Sequence, residues 1–348
     1  MSPGGRPAVA VLAVDGGNSK TDVALLGDDG RLLAAIRGPT TSHQVIGLAA
    51  GTARLAGLVR EARARAGLAD DRPADIGAFA LAGADTPADV RRLTGSLAAA
   101  GMAWDTLVVN DAFAPVRAGA ERGWGVGVIC GAGVNAAGIA PDGRTARLAA
   151  LGDISGDWGG GGDIGVAALG AAVRARDGRG PRTVLEALVP AHFGLHRPID
   201  VTMAIEHERI PSTRLRELSP VVFEAAVGGD AVARSILDRL ADEIATMALS
   251  IIRRLHLTRR DVDVALAGGV FRAQDLAFET RIANGIQAEV PLARPHRLDA
   301  PPVLGAALLG LDRLGGPSPT SRREATARAR ATLVADAIMP VEVARSRD

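Results

Sequence analysis

The chain has one cysteine, no tyrosine and only 3% aromatic residues among its 348 positions. One cysteine excludes a disulfide and a cysteine-based zinc or iron–sulfur site within a single chain. It is Cys130, the last residue of an apolar run that begins at Val126, and we expect it to be a reduced, buried strand residue. We attribute the missing tyrosine to a composition dominated by alanine, glycine and arginine, and it says little about function.

The sequence also lacks an excess of charge and a long apolar run. A formal net charge of +1 is not the excess of positive charge that binds a phosphate backbone, so we predict no nucleic-acid partner. No run of 18 apolar residues is free of charge, and no basic and apolar segment precedes Val9. These absences predict a soluble, cytoplasmic protein without a membrane partner. The length suits two domains, and 47% hydrophobic residues suffice for buried cores.

Residues 11–26, "VLAVDGGNSKTDVALL", place glycines, small hydroxyls and a lysine inside an apolar run. A nucleotide-binding P-loop requires glycine before its lysine and opens a helix, whereas here Ser19 precedes Lys20. The following residues form a short apolar run that ends at the turn "GDDG", which indicates a second strand. The segment therefore predicts a β-hairpin, and residues 32–36 add a third strand.

Helices and strands alternate after this hairpin. Apolar spacing predicts a helix over residues 44–67 with Gly67 as its C-cap, and then strand "DIGAFALAG", a helix and strand "DTLVVNDAF". The hairpin pattern returns in "GVGVICGAGVNAAGIAPDGR", which indicates two domains of related α/β topology. We predict domains at residues 1–117 and 118–348, with a helical insertion at about 165–260, a helix over 322–337 and a mobile C-terminal tail.

The glycine turns have more than one interpretation. "GAGVNA", residues 131–136, matches a dinucleotide fingerprint, but Gly138, Pro141 and Gly143 interrupt any helix after it, so we predict no NAD site. Two such turns suggest a clamp whose backbone N–H groups face phosphate oxygens, and two ordinary hairpin turns are the alternative. Gly268-Gly269, which end the strand in "VALAGGVF", would let a planar ring lie against the backbone or would allow close internal packing. The small residues of "PPVLGAALLG" predict a closely packed helix.

In order, "DGGNSKTD", "ICGAGVNAAG", "ALAGGVF" and "PPVLGAALLGL" resemble the phosphate-1, phosphate-2, adenosine and second connecting motifs of the actin-like, sugar-kinase and heat-shock ATPase superfamily. Within it the sequence is similar to the N-acetylglucosamine kinase and BadF/BadG/BcrA/BcrD ATPase group, from Val9 to about Leu314. The resemblance implies an α/β fold of two ribonuclease-H-like (actin-like ATPase) domains with an interdomain ATP cleft. It also implies a homodimer, the cofactors ATP and Mg²⁺, and phosphorylation of a small sugar, an amino sugar such as N-acetylglucosamine or glucosamine.

The resemblance assigns roles by position. Asp15 orders the magnesium shell, and Asp111 accepts the proton of the sugar hydroxyl; an N-cap at the start of the next helix is the alternative for Asp111. The implied nucleotide ligands are Gly16, Gly17, Asn18, Ser19, Lys20, Gly131, Ala132, Gly133, Gly268 and Gly269. The implied sugar ligands are Ser42, His43, Asn135 and Asp157. Without the family, the "GDWGGGG" around Asp157 would be a flexible linker instead of a substrate loop.

Departures from the family pattern leave the acceptor open. The second phosphate turn usually offers a threonine and a serine, and Ala132 and Val134 stand there. Trp158 occupies an acidic position, and Leu151 stands where a tryptophan is common. Another hexose derivative or a cyclitol therefore stays open. The alternative function is an ATPase or ATP sensor of the BadF type that acts on a protein partner; its iron–sulfur version needs paired cysteines, which Cys130 alone does not supply.

Overall fold

The computed structural model describes residues 9–68 and 72–341. The chain divides into two compact units: the first takes in the residues up to Gly123 and those from Leu298 onward, and the second is Trp124–Arg297. The strands are β1 (Val11–Gly16), β2 (Lys20–Leu26), β3 (Leu32–Pro39), β4 (Ala74–Leu81), β5 (Ala103–Asn110), β6 (Gly125–Cys130), β7 (Val134–Ile139), β8 (Thr145–Arg147), β9 (Asp263–Ala267), β10 (Arg294–Arg297) and β11 (Met339–Pro340).

The helices are α1 (His43–Ile46), α2 (Leu48–Arg65), α3 (Pro87–Ala99), α4 (Phe113–Gly119), α5 (Gly160–Arg176), α6 (Leu185–His192), α7 (Pro198–Glu206), α8 (Ser219–Val227), α9 (Ala231–Arg254), α10 (Leu276–Glu289), α11 (Pro302–Leu314) and α12 (Pro319–Thr332). None of the helices in the described part of the chain is long and apolar enough to cross a membrane.

The sheet of the first unit has the strand order β11-β3-β2-β1-β4-β5. The hairpin strands β1 and β2 pair antiparallel and β3 follows them antiparallel, whereas β4 and β5 run parallel to β1. Both faces are apolar, because successive strand residues such as Val11 and Leu12 point to opposite sides and both are buried. Residues of α2 and α3 cover one face, and residues of α4, α11 and α12 cover the other.

The helix α11 fixes the last part of the chain to the first unit. A Cβ at Gly305 would lie 1.8 Å from the carbonyl oxygen of Ala114, and one at Gly310 would lie 2.4 Å from Val11 Cγ1. The glycines therefore let this helix pack directly on α4 and β1. The sequence prediction placed residues 298–348 with the second domain, because the small residues predicted close packing without naming the packing partner.

The sheet of the second unit repeats the plan of the first with the order β10-β9-β6-β7-β8. The strands β6, β7 and β8 are antiparallel, and β9 and β10 run parallel on the other side of β6. Helices α5, α8, α9 and α10 supply most of the remaining buried apolar residues of this unit. The repeated hairpin thus marks a repeated topology, as the sequence predicted.

Two predicted helices differ from the observed ones. The helix predicted over residues 44–67 is interrupted at Gly47, whose backbone (φ 82, ψ 157) ends α1 and begins α2. The helix predicted over residues 322–337 ends earlier, at Thr332, and a 3-10 turn over Ala335–Ala337 leads into β11. This short strand pairs with β3, and residues 342–348 of the predicted tail lie outside the described residues.

Candidate active site

The first glycine turn joins two antiparallel strands. Asp15 and Gly16 end β1, Lys20 begins β2, and the N–H of Gly17 donates to the carbonyl of Lys20 at 3.0 Å. Asn18 and Ser19 are exposed at the tip. This geometry confirms the hairpin and excludes a P-loop, since the residues after Lys20 form a strand.

The buried Asp22 forms ion pairs with two basic side chains near this turn. The carboxylate of Asp22 accepts from Arg37 Nε at 2.6 Å and Nη2 at 2.7 Å, and from Lys20 Nζ at 3.3 Å. Asp22 is inaccessible to solvent, whereas about a third of each partner's side chain is exposed (35% for Lys20, 39% for Arg37). The ammonium group predicted to contact phosphate therefore also balances a buried negative charge.

The carboxylic acid of Asp15 has a strongly perturbed pKa. Its side chain keeps some exposure, but protein surrounds the carboxyl group. Desolvation raises its pKa to about 7, and the negative charges of Asp22 and then Asp111 act in the same direction, against Lys20 and Arg37. The group thus lies in a site that is short of positive charge.

The carboxyl ends of three parallel strands meet beside this turn. Gly16 of β1 is paired with Leu81 of β4, and Leu81 with Asn110 of β5. Asp111 follows directly, and its N–H donates to the carbonyl of Leu81 at 3.2 Å. Ligands of open α/β sheets bind at such strand ends. The N-cap alternative for Asp111 is wrong, because the N-cap of α4 is Ala112.

The sequence prediction missed a polar cluster at the same sheet edge. Asn110 Nδ2 donates to Asp85 Oδ1 at 2.9 Å, and Gln44 Nε2 lies 3.5 Å from Asp85 Oδ2. Asn18 Nδ2 lies 3.4 Å from Gln44 Oε1. Asp85 stands four residues after the end of β4, so its position beyond a buried parallel strand was the signal available in the sequence.

Ser42 and His43 lie at the start of α1. Ser42 is buried, and its hydroxyl accepts from the N–H of Gln44 at 3.3 Å, so it caps this helix. His43 is partly exposed and approaches Gly83, where a Cβ would lie 2.6 Å from the imidazole Cε1. Desolvation and then Arg92 lower the pKa of His43, while Asp89 and Asp85 act in the opposite direction. The neutral imidazole is therefore favoured at neutral pH.

In the second unit, the turn between β6 and β7 rests on the start of α5. The N–H of Gly131 donates to the carbonyl of Gly133 at 2.8 Å. The N–H groups of Gly161 and Gly162 donate to the carbonyls of Gly131 and Ala132 at 2.7 and 2.9 Å. The glycine run thus begins a helix and is not a linker. The turn joins antiparallel strands, which confirms that "GAGVNA" is not a dinucleotide fingerprint.

The two predicted sugar ligands of the second unit, Asn135 and Asp157, have local hydrogen-bond partners. Asn135 lies in β7, and its Oδ1 accepts from the N–H of Ala136 at 2.8 Å. Asp157 is partly buried and accepts from the hydroxyl of Ser155. The neighbouring Trp158 packs its ring under the guanidinium of Arg239, 3.8 Å from the ring centroid, which fixes this loop against α9.

The two glycines after β9 differ in what requires them. Gly268 has φ +109, and a Cβ there would lie 2.3 Å from the carbonyl oxygen of Cys130, so close packing accounts for it. Gly269 is exposed, with no described atom within 4 Å of the Cβ position. Cys130 is fully buried, and desolvation raises its pKa to about 12, as expected of an inert strand thiol.

A preformed metal cage is not found in the described part of the chain, where no three His, Cys, Asp or Glu side chains are grouped to hold an ion. Magnesium bound with a nucleotide needs no such cage, because it keeps several waters and takes one or two carboxylates plus phosphate oxygens. Asp15 fits that role chemically, since a nearby cation would relieve the repulsion from Asp22 and Asp111.

Comparisons with known proteins identify the family of this chain. The sequence profile of the BadF/BadG/BcrA/BcrD ATPase family matches residues 12–310. An N-acetylmuramic acid/N-acetylglucosamine kinase of Clostridium acetobutylicum is 30% identical over 266 residues, 75% of this chain and 85% of the relative. An N-acetyl-D-glucosamine kinase of Dictyostelium discoideum is 25% identical over 313 residues, 86% of this chain and 97% of the relative.

A solved structure is also similar. It is a Chromobacterium violaceum protein provisionally named an N-acetylglucosamine kinase, with a TM-score of 0.69 and 25% sequence identity over 87% of this chain and 99% of the other. This similarity confirms the predicted α/β fold class of the sugar kinases.

Proposed function

Because the chain belongs to the BadF/BadG/BcrA/BcrD ATPase family, we propose that it is an ATP-dependent kinase that phosphorylates a hydroxyl of an amino sugar, N-acetylglucosamine or glucosamine. The observation that carries the proposal is the pair of carboxylates at the ends of β1 and β5. Asp15 and Asp111 are close enough that the charge of Asp111 raises the pKa of Asp15. The names of the two curated relatives support an amino sugar as the acceptor.

The nucleotide contacts are assigned to the glycine turns. Glycine is usually required by an unusual φ or by a close neighbour. None of Gly17, Gly131, Gly133 and Gly269 has a positive φ. A Cβ at Gly17 would make only an ordinary 3.5 Å contact with the carbonyl of Lys20, and at the other three no described atom lies within 4 Å. A phosphate chain or a purine ring lying against the backbone supplies the missing reason.

Each carboxylate has its own task in the transfer. The bond between the γ-phosphorus and the bridging oxygen of ADP breaks as the sugar oxygen bonds to phosphorus, and the carboxylate of Asp111 accepts the hydroxyl proton. Asp15 would hold Mg²⁺ through bound water, and the metal ion would supply charge neutralisation at the phosphates. Lys20 adds positive charge at the same turn, beside Asn18 and Ser19. Positioning and electrostatic stabilisation account for most of the rate of such transfers.

The sugar is assigned to His43, Asn135 and Asp157, with Ser42 holding His43 in place through the cap of α1. A neutral imidazole and a carboxylate offer the acceptors that sugar hydroxyls need. The acetamido group would be the feature that separates N-acetylglucosamine from glucosamine at this site.

The test is a panel of amino sugars, hexoses and cyclitols with Mg²⁺ and ATP, with ADP release and the phosphorylated product both measured. We expect one amino sugar to stimulate ATP consumption many-fold. Asp111→Asn should lower kcat by about 10²–10⁴-fold while the affinity for ATP stays within about twofold, because the lost carboxylate acts on the proton and not on the nucleotide.

Asp105→Asn is the matched control, since Asp105 lies in β5, the strand that Asp111 follows, and pairs on the surface with Arg313 at 2.8 Å. It should keep normal turnover. Slow ATP hydrolysis that no acceptor stimulates would favour the ATP sensor or partner ATPase instead. Normal phosphorylation by the Asp111 variant would show that another group accepts the proton.

A further inference from the structure

Four side chains connect the phosphate turn with the residue before the proposed base. Asn18, at the tip of the turn, reaches Gln44; Gln44 reaches Asp85; and Asp85 accepts from Asn110. Asn110 is followed directly by Asp111 and is almost completely buried, with 3% of its surface exposed. The chain of contacts thus begins at the phosphate end of the proposed site and ends at the sugar end.

In this chain of contacts, the part near Asp111 consists of two well-formed hydrogen bonds. Asn110 Oδ1 accepts from the N–H of Ala112 at 3.1 Å, and Asn110 Nδ2 donates to Asp85 Oδ1 at 2.9 Å. The two bonds hold the side-chain amide of Asn110, next to Asp111, at both its oxygen and its nitrogen. They also fix its orientation, because the oxygen is committed to Ala112 and the amide nitrogen must then face residue 85.

The part of the chain of contacts near the phosphate turn has longer distances. The contacts of Gln44 with Asp85 and Asn18 measure 3.5 and 3.4 Å, near the upper limit for a hydrogen bond, and both Gln44 and Asn18 are exposed. Catalytic hydrogen bonds are often long without ligand and shorten in the substrate complex. A phosphate group that draws Asn18 inward would pull on Gln44 and, through it, on Asp85.

We propose that Asp85 is a positioning residue for the phosphoryl transfer, which holds Asp111 in place through Asn110 and links it to the phosphate turn through Gln44. The inference rests on the proposed kinase function. Its physical basis is that a small displacement of a reacting group is costly, with about 1 Å sufficient for a loss of about 10²-fold. Asp85 would therefore affect turnover without contacting the phosphates itself.

An exchange of the two interacting groups tests this role. In Asp85→Asn, the fixed amide of Asn110 needs the oxygen of the new side chain, so the amide nitrogen introduced at position 85 faces the nitrogen of Gln44 and that bond is lost. In Gln44→Glu, two carboxylates face each other. The double variant Asp85→Asn with Gln44→Glu restores a donor opposite an acceptor at both ends and keeps the net charge.

The expected results are a fall in kcat of about tenfold in each single variant and recovery to within about threefold of the wild type in the double variant. The KM for ATP should change by less than about twofold throughout. Asp89→Asn is the control, since Asp89 lies four residues further on, in the first turn of α3, where it completes the cap of that helix with Thr86. It should lower the thermal midpoint and leave kcat unchanged, which separates positioning from folding.

Losses that add in the double variant, or an Asp85→Asn enzyme with wild-type kcat, would overturn the assignment of Asp85 while the kinase function stands. A wild-type chain that phosphorylates no sugar of the panel would overturn the proposed function, and this inference with it.

Discussion

The two glycine turns occupy the same place in two sheets of the same plan, yet they differ in their charged side chains. The first turn carries Asp15, Lys20 and nearby Asp22, so it holds opposed charges. The second turn presents no charged side chain of its own, and its carbonyls are held by the N–H groups that begin α5. The two turns therefore share a backbone plan and differ in their chemistry.

This difference explains why the departures from the family pattern need not remove activity. Ala132 and Val134 take away hydroxyls from a turn that still offers its backbone N–H groups to an anion. The carboxylates that we propose for the metal ion and for the acceptor proton, Asp15 and Asp111, belong to the first unit. We therefore expect substitutions in the second turn to change stability or nucleotide affinity. Substitution of the charged Asp15 in the first turn should change the pH dependence of stability.

The largest expected effect is on the stability of the second turn. Gly160 has φ +85, and an added Cβ would lie 2.5 Å from the Cα of Gly133, a backbone atom that cannot move without shifting the turn. Gly160→Ala should destabilise the protein by about 3 kcal/mol, from backbone strain and overlap together. Urea unfolding measures it.

The matched change in the first turn is Gly16→Ala, whose Cβ would meet the end of the Leu81 side chain at 2.6 Å. That methyl group can rotate away, so the expected loss is only about 1 kcal/mol. Equal losses in the two variants would contradict the view that the second turn is held by its backbone.

A somewhat smaller effect concerns the charge of the first turn. The folded state raises the pKa of Asp15 from 3.8 to about 7, so it binds a proton more tightly than the unfolded chain does, and its contribution to stability is lost as the pH rises from 4 to 7. Asp15→Asn should remove this penalty and raise the free energy of unfolding at pH 8 by about 2 kcal/mol, a value reduced for the partial exposure of the Asp15 side chain. At pH 4 the two proteins should be alike.

Unfolding curves at the two pH values test this, and Asp142→Asn is the control. The hydrogen bond from Arg144 lowers the pKa of Asp142, so its replacement should bring no gain at pH 8. The Asp15 variant should also lose turnover with Mg²⁺ and ATP. A variant that gains no stability at pH 8 would mean that Asp15 is not held in a site short of positive charge.

The smallest effect is expected at an open glycine of the second turn. Gly131→Ala adds a methyl group where no described atom lies within 4 Å, so stability should change by less than about 0.5 kcal/mol. The affinity for ATP should nevertheless fall about tenfold, or ~1.4 kcal/mol, because the methyl group occupies space assigned to the phosphates.

Gly170→Ala is the control for this variant, because Gly170 lies in α5 with equally open surroundings. It should leave the affinity for ATP unchanged and stabilise the helix slightly. Unchanged ATP affinity in the Gly131 variant would remove this glycine from the nucleotide contacts.

The sequence predicted the features that depend on local pattern. Short apolar runs closed by glycine turns were enough for both hairpins, and small residues were enough for the packing of α11. It did not reveal which unit α11 packs on, since an alternation of glycine and alanine is the same against either sheet. It also did not reveal that Gly47 divides the first helix, because the apolar spacing continues through that glycine.

The candidate site shows the same division. Asp15 and Asp111 lie at the ends of recognisable strands, and the resemblance to the family singled them out; their roles stay predictions. Asp85 and Gln44 come from two connections that are far apart in the chain and meet only because β1, β4 and β5 end at one edge. Ser42 was expected to contact the sugar, and the sequence did not reveal that it is the buried N-cap of α1.

The first unit is completed by residues that are synthesised last. At about 5–20 residues per second, a ribosome needs on the order of 10–35 s to make residues 124–297 before α11 and α12 can emerge. During that interval the face of β1 that carries Val11 and Ala13 has no cover from those helices. The nascent chain therefore passes through a stage in which an apolar sheet face is available to chaperones. A ribosome stalled before Leu298 would leave that face exposed and prone to aggregation.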